Sequence, residues 1–371
     1  MKRKQLWKKA ISMTLALLLT GTMLAGCSGK SGEETPAQTR EPGTDESSGS
    51  SSADSTDTGK TDNEKVVIGV ALLDMTQEFF VHMIEGGNAA AKDMDVEVIW
   101  KSADSSLDNQ IAIIENFIQQ GVDCILVDPY DSAGLIPVCE EAQAAGIPVC
   151  SAGNFIDSEA VISNLYNDRE DTKIIGELVG NMIGGSGDVA MLYGATGNFV
   201  SDERQAGWDE AMKEFPDINC TYYEVGWDIS ATLKTAQDIL ASNPDIKAIH
   251  CFSDGNVGGL AQAVEQAGMS DKVIISSYDG DKDASQAVAD GKYLCTLLTG
   301  SKRVGYWNIQ VCAKLAKGEE MDQRNYLESY LVVTDEIQAK VEEFGIGYDG
   351  MNIVEPARAI ELFDDMSAMN K

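Results

Sequence analysis

Apolar runs in this sequence end, again and again, in a planar polar group or an aromatic ring. "VVIGVALL" is followed by Asp74, Thr76, Gln77 and the adjacent pair Phe79 and Phe80. The run closing at Cys150 is followed by Ser151, Gly153, Asn154 and Phe155. "VAMLYG" leads to "ATGNFVSDERQAGW", with Arg204 at the start of a helical pattern. "CTYYEVG" leads to Trp227, "KAIHCF" to Ser253 and Asp254, "VIISSY" to Asp279 and Gly280, and "YLCTLL" to Thr299. A polyhydroxylated ring needs this combination. Its C–H faces pack on aromatic rings, and its vicinal hydroxyls pair with Asp, Asn, Gln and Arg, the charged partners giving the stronger hydrogen bonds. Phe79 and Phe80 carry a further hint. Adjacent helical residues point about 100° apart, so one inward face cannot bury both rings equally. Core packing is the rival reading for the pair.

Other chemistries find little purchase. The chain has two histidines, His82 in a helical pattern and His250 inside a strand-like run. No G-x-S-x-G elbow, HExxH or P-loop occurs, and "GATGNF" and "GGSG" make no G-x-G-x-x-G after the first strand. An enzyme is not expected, nor a cofactor. Asp279, Asp281, Asp283 and Asp290 have calcium-loop spacing, but Ala284 replaces the turn glycine and Asp290 the bidentate glutamate. Helix capping is the expectation there, and no metal. A formal net charge of −32 repels a phosphate backbone, which argues against nucleic acid as a partner.

The elements that must position these residues alternate. Short β-branched runs at 66–73, 96–100, 124–127 and 147–150 flank helical patterns at 78–93, 107–120 and 132–145. Gly121 and Gly146 stand where helices close. A second series of strands is expected at 188–193, 220–225, 248–252, 273–276 and 293–298, with helices at 201–214, 230–241, 256–267 and 283–290. A helix at 304–317, a strand at 329–334 and an amphipathic pattern in "DEIQAKVEEF" follow. Continuous apolar strands separated by helices imply parallel sheets covered on both faces. The length of 371 residues allows about one to three domains. Two doubly wound units are expected, each with its binding crevice beyond the carboxyl ends of its strands. Two such crevices face to face enclose a small molecule.

The N-terminus reads as an address. "MKRKQLWKK" is a basic region, "AISMTLALLLTGTMLAG" an apolar one of signal-peptide length, ending in Leu24-Ala25-Gly26-Cys27. This resembles the lipobox of bacterial lipoproteins, which implies a signal peptide at 1–26 and lipidation (palmitate) at Cys27. Several acyl chains on one cysteine give a stable anchor. Residues 28–64 contain no Val, Ile, Leu or aromatic residue, so they cannot bury enough apolar surface to offset chain entropy. They are expected to be a disordered tether. Seven further cysteines, Cys124, Cys139, Cys150, Cys220, Cys251, Cys295 and Cys312, show no CxxC and no zinc spacing, and read as buried free thiols.

From Val66 to Thr334 the chain resembles the type I periplasmic binding protein family, in its ribose- and galactose-binding branch. The pieces that carry the likeness are "IGVALLDMTQEFFVHMIEGGNAAAKD", "NFIQQGVDCILVDPYDSAGLIPVCEEAQAAGIPV", "RQAGWDEAMKEFP", "IHCFSDGNVGGLAQAVEQAG" and "VIISSYDGDKDASQAVADGKY", in the family's order. The resemblance implies an α/β fold of two doubly wound parallel-sheet lobes on a three-stranded hinge. It implies ligand capture by hinge closure and delivery to an ABC permease and ATPase complex, by a monomer attached to the outer face of the cytoplasmic membrane only through its lipid. The lobes are expected at 65–166 plus 299–329 and at 167–298 plus 330–371, with crossovers near 165–167, 298–300 and 329–331. Residue by residue, Phe80 and Phe79 match the aromatic pair of the family's first ligand loop. Gln77 matches a hydrogen-bonding asparagine, and Arg204, in the R-x-x-G-aromatic motif, the hydroxyl-binding arginine. Trp227 matches the aromatic closing the opposite ring face, and Asp279, in "YDG", the ligand aspartate. Departures point away from ribose. Gly153-Asn154 replaces an Asp-Arg pair, Ser253 an asparagine and Thr299 a glutamine. A site missing matched polar partners rejects a ligand strongly, so another monosaccharide, a sugar alcohol or a cyclitol is expected. The same protein could serve a sensory receptor or histidine kinase instead of a permease.

Overall fold

The computed structural model describes residues 65–366. The expected signal peptide, Cys27 and the tether lie outside the described residues. The chain runs β1 (Val67–Leu72), α1 (Glu78–Met94), β2 (Glu97–Ser102), α2 (Leu107–Gln120), β3 (Cys124–Val127), α3 (Ser132–Ala144), β4 (Val149–Ala152) and β5 (Val161–Leu165). It continues through α4 (Asp168–Met182), β6 (Ser186–Tyr193), α5 (Phe199–Met212), β7 (Asp217–Glu224), α6 (Ile229–Ser242), β8 (Ala248–Cys251), α7 (Asp254–Gln266), β9 (Ile274–Ser276) and α8 (Lys282–Ala289). It closes with β10 (Thr296–Leu298), α9 (Ser301–Ala316), β11 (Arg324–Tyr326), β12 (Tyr330–Val332), α10 (Asp335–Phe344), β13 (Asn352–Val354) and α11 (Pro356–Asp364).

Two parallel sheets follow from the two series of apolar strands. One has the order β11-β5-β4-β3-β1-β2 and the other β7-β6-β8-β9. Helices cover both faces. Ile68, Val70 and Leu126 pack with Tyr306 and Ile309 on one side of the first sheet, and Ile125, Val127 and Val149 with Ile114 and Phe117 on the other. Strands buried on both faces read as unbroken apolar runs, which is why these were legible. The chain leaves the first sheet after β5, returns after β10 and leaves again between β11 and β12.

Five elements were not expected: β5, α4, β11, β13 and α11. β5 is "VISNL", whose buried Ser163 and Asn164 break the apolar pattern. Asn164 is satisfied there by hydrogen-bonding Asn308 at 2.9 Å. Helix α4 is interrupted in sequence by Gly176 and Gly180. A Cβ at those positions would lie 2.6 Å from Ala211 Cβ and 2.3 Å from the Phe215 ring, so close α4–α5 packing selects glycine against helix propensity. α10 matches the amphipathic pattern read at 335–344, closed by Gly345 in the left-handed conformation. Beyond it, α11 touches both halves of the molecule. Asp364 accepts hydrogen bonds from Lys282 on α8 and from Lys302 on α9, the latter at 3.0 Å. Phe363 meets the His82 ring of α1 edge-on at 5.4 Å.

Candidate ligand-binding site

Between the carboxyl ends of the two parallel sheets lies a cavity of about 220 Å³. That is small beside pockets for drug-sized ligands, which run to roughly 300–1,000 Å³. Its walls come from the loops that follow β1, β3, β4, β5, β6, β7, β8 and β9.

From the first sheet come the phenylalanine pair, Gln77, Asp128 and Asn154. Phe79 and Phe80 are T-shaped to one another, with centroids 5.4 Å apart and planes at 89°. Both border the cavity; Phe80 is buried and Phe79 half-buried. Gln77 is the residue before α1, but its side chain makes no capping bond, which leaves its amide for the cavity it borders. Asn154 Nδ2 donates to Asp128 Oδ1 at 3.5 Å. Its Oδ1 accepts from Asn198 Nδ2 at 3.2 Å and from the Val200 N–H at 3.4 Å, on the far side of the cleft. Phe155 and Phe199 meet beside this contact, 5.9 Å apart. The two halves therefore touch across the mouth of the cavity.

From the second half comes a charged network around Arg204. Its Nε donates to Asp168 Oδ1 at 2.8 Å, its Nη1 to the Phe252 carbonyl at 2.5 Å, and its Nη2 lies 3.2 Å from Asp279 Oδ1. The guanidinium also stacks 3.6 Å above the Tyr278 ring. It does not pair with Glu203 or Asp209: Glu203 is held by Arg169 at 2.8 Å. Burial pulls the guanidinium down, and the Asp279 and Asp168 carboxylates more than offset it, so Arg204 stays charged. Asp279 sits at φ 115°, unusual for a residue with a Cβ. Such strain persists where surroundings over-determine it, and here they do. Its Oδ2 accepts from Ser253 Oγ at 2.8 Å and the Asp254 N–H at 3.2 Å, while its own N–H donates to the Leu297 carbonyl at 2.8 Å. The next residue must be glycine, because a Cβ on Gly280 would lie 2.3 Å from Leu298 Cα. Trp227 leans edge-on against Phe252, centroids 4.6 Å apart, and is more than a third exposed at the rim. Its loop is held by Asn256, whose Nδ2 donates to the Gly226 carbonyl at 3.1 Å.

Eight of the nine residues singled out from the sequence border the cavity: Gln77, Phe79, Phe80, Asn154, Arg204, Trp227, Ser253 and Asp279. Thr299 does not. It is buried just after β10, where its carbonyl accepts from Arg303 Nη1 at 3.0 Å. Asp128, Tyr166, Asn198, Val200, Ile229 and Asn256 border the cavity without having been singled out. The calcium-like spacing after Asp279 makes no such loop. Asp281 precedes α8 without capping it, and its N–H donates instead to Asp254 Oδ2 at 2.9 Å.

Two buried carboxyls, Asp128 at this site and Asp171 behind it, give a pH dependence. Burial pushes Asp128 up to about 7 against the lowering bond from Asn154. Burial likewise pushes up Asp171 in α4 to about 7, although Tyr348, Ser329 and Tyr278 hydrogen-bond to it. An unfolded-chain aspartate titrates near ~3.9. Between these values the folded chain holds protons that the unfolded chain lacks. Stability from both groups is therefore full below the unfolded value and lost as pH rises through about 7. Each such proton contributes about 1.4 kcal/mol per pH unit. The melting temperature is expected to be higher near about pH 5.5 than near about pH 8, with Asp128→Asn flattening the profile. A calorimetric profile that rises with pH over that range would contradict these protonation states.

The description "Periplasmic binding protein domain" matches residues 68–320. The chain belongs to that family. It is 24% identical over 261 residues to the ribose import binding protein of Bacillus subtilis, covering 70% of this chain and 85% of that one. It is 25% identical over 281 residues to the xylitol-binding protein of Mycolicibacterium smegmatis, covering 74% and 79%. Among solved structures, an ABC transporter periplasmic solute-binding protein from Actinobacillus succinogenes with bound D-allose superposes with TM-score 0.69 at 28% identity, over 74% of this chain and all of that one. A solute-binding protein from Bacillus halodurans with bound myo-inositol gives TM-score 0.70 at 24% identity, over 76% and 100%. The fold is that of type I periplasmic binding proteins, and the chain is a binding protein rather than an enzyme.

Proposed function

We propose that this protein is an exported lipoprotein, anchored through Cys27, that closes its two lobes on a neutral monosaccharide or polyol and delivers it to an ABC importer. The observation that carries the ligand class is the charge of the cavity wall. Arg204 is the only cation among the described residues bordering it, and that cation is already paired with Asp168 and Asp279. Glu78, Asp128 and Asp279 border the same space. A phosphate or sugar acid would find no free cation there and a further carboxylate, Glu78, beside it, which costs affinity. Neutral hydroxyls, by contrast, find acceptors in Asp128 and Asp279, amides in Gln77 and Asn154, and ring faces in Phe79, Phe80 and Trp227. Relatives that carry ribose, allose and xylitol in their names support the class.

The Asn154 bonds to Asn198 and Val200 join the two lobes, so they belong to the closed form and are absent when the cleft opens. Asn154 stands where a ribose-type site would place an arginine, and this neutral amide latch supports a ligand other than ribose. A thermal-shift screen over pentoses, hexoses, alditols and inositols, with sugar phosphates and aldonates alongside, tests the reading. At a hundredfold excess over Kd a ligand stabilises the native state by about 2.7 kcal/mol, which shifts the transition by several degrees. A response confined to neutral polyols is expected. A response led by anionic sugars, or none at all, would sink it.

A further inference from the structure

Cys124 on β3, Cys150 on β4 and Cys312 on α9 bring their three sulfurs within 4.8 Å of one another in the core of the first lobe. All three are free and fully buried. Sequence spacing could not reveal them, because they come from three elements and 188 positions separate the first from the last (312 − 124). No other group of three or more metal-binding side chains forms among the described residues. Cysteines in apolar cores ordinarily act as isolated small hydrophobes, and burial pushes Cys139 and Cys251 up to about 12. Here three of them converge instead.

We propose that these three cysteines form a closed site for one trivalent, three-coordinate thiophilic ion of the arsenite class. Coordination number, charge and surroundings select it together. The core cluster that holds them is largely aliphatic, with Ile68, Val70, Leu126, Ile309 and Val311 among its members, and no fourth His, Cys, Asp or Glu joins the three sulfurs among the described residues. Zinc completes a tetrahedron and needs one. A cuprous ion accepts three thiolates but leaves a net negative complex in an apolar core, where an uncompensated charge is costly. A trivalent ion with three thiolates is neutral. The exchange balances: three S–H and three As–OH bonds break, three As–S bonds form, and each proton leaves with a hydroxide as water. No oxidation state changes.

The test uses the full chain, purified reduced in thiol-free buffer, titrated with sodium arsenite. One ion per chain is expected, with arsenic X-ray absorption showing three sulfur neighbours. Mass spectrometry after alkylation of the denatured complex should find Cys124, Cys150 and Cys312 protected and the other cysteines modified. Cys312→Ala is expected to weaken binding by roughly tenfold or more, while Cys295→Ala leaves it unchanged. The wild-type absorption and protection data decide the matter even if Cys312→Ala folds poorly. No binding by the native chain, two sulfur neighbours, protection of other cysteines, or a preference for cuprous ion over arsenite would each overturn the assignment.

Discussion

Arg204→Ala is expected to lower affinity for the captured ligand by roughly a hundredfold or more, which is about 2.7 kcal/mol. It is also expected to cost the fold about 3–5 kcal/mol, the usual result of stripping one partner from a buried pair. Two buried carboxylates, Asp168 and Asp279, depend on this guanidinium. Burial already raises both, and the charge on Arg204 is the strongest influence holding each down. Without it the carboxyls must take up protons or swing away. Asp279 cannot swing away freely, since its backbone is fixed at φ 115° and its Oδ2 by Ser253 and Asp254, so it takes up a proton. A protonated Asp279 loses the charge-assisted bonds that we propose it makes to hydroxyls.

The two effects separate by substitution. Arg204→Lys keeps the charge but not the fork that reaches Asp168, Asp279 and the Phe252 carbonyl together. It should recover part of the stability and little of the affinity. Adding Asp168→Asn to Arg204→Ala removes one stranded charge and should recover stability alone. Titration calorimetry with the strongest ligand from the polyol screen, paired with chemical denaturation, reads both quantities. If Arg204→Ala bound that ligand as tightly as the parent, the placement of the ligand in this cavity would be wrong.

How much of this could be read from the sequence depended on how local the cause was. Strand ends were legible because buried parallel strands announce themselves as apolar runs: Asp279 follows β9 by three positions, while Phe80 and Arg204 lie in the first two turns of the helices that follow β1 and β6. Asp128 obeys the same rule, following "CILV" at once, and its signal was present. Tyr166 was hidden because β5 carries Ser163 and Asn164 in its interior. Asn198 sits in a glycine-rich segment and caps α5 by accepting from the Ser201 N–H, a role that masks its second one at the cleft. Thr299 follows an apolar run as well and was matched by resemblance to a glutamine, yet it is buried away from the cavity. Pro356 at the first turn of α11 was a usable start signal for the last helix. Its contact with both α8 and α9 was not, because nothing local encodes a partner more than fifty positions away.

A second large effect is expected from a single methyl group far from any ligand. Gly305→Ala should destabilise the protein by about 3 kcal/mol or more, at the upper end of overpacking costs. An exposed helix glycine loses about 1 kcal/mol relative to alanine, so glycine inside α9 needs a reason, and the reason is the crossing with α1. A Cβ at Gly305 would lie 1.8 Å from the Met83 carbonyl oxygen, and one at Gly86 would lie 1.9 Å from that of Lys302. The clashing atoms are backbone, so no rotamer change relieves them; the two helices must part. Gly258 in α7 is the control. A methyl there meets only Ile229 Cδ1 at 3.6 Å, an ordinary contact, so Gly258→Ala should be neutral or stabilising. Opposite signs at Gly305 and Gly258 in a denaturant titration are the expected outcome, and equal signs would show that the crossing yields more easily than its geometry implies. The consequence reaches the site, because the first turn of α1 carries Phe79 and Phe80, which border the cavity. Parting these helices moves the aromatic wall relative to the rest of the cavity lining. Gly305→Ala should therefore weaken ligand capture as well, through Phe80 and without touching a polar contact.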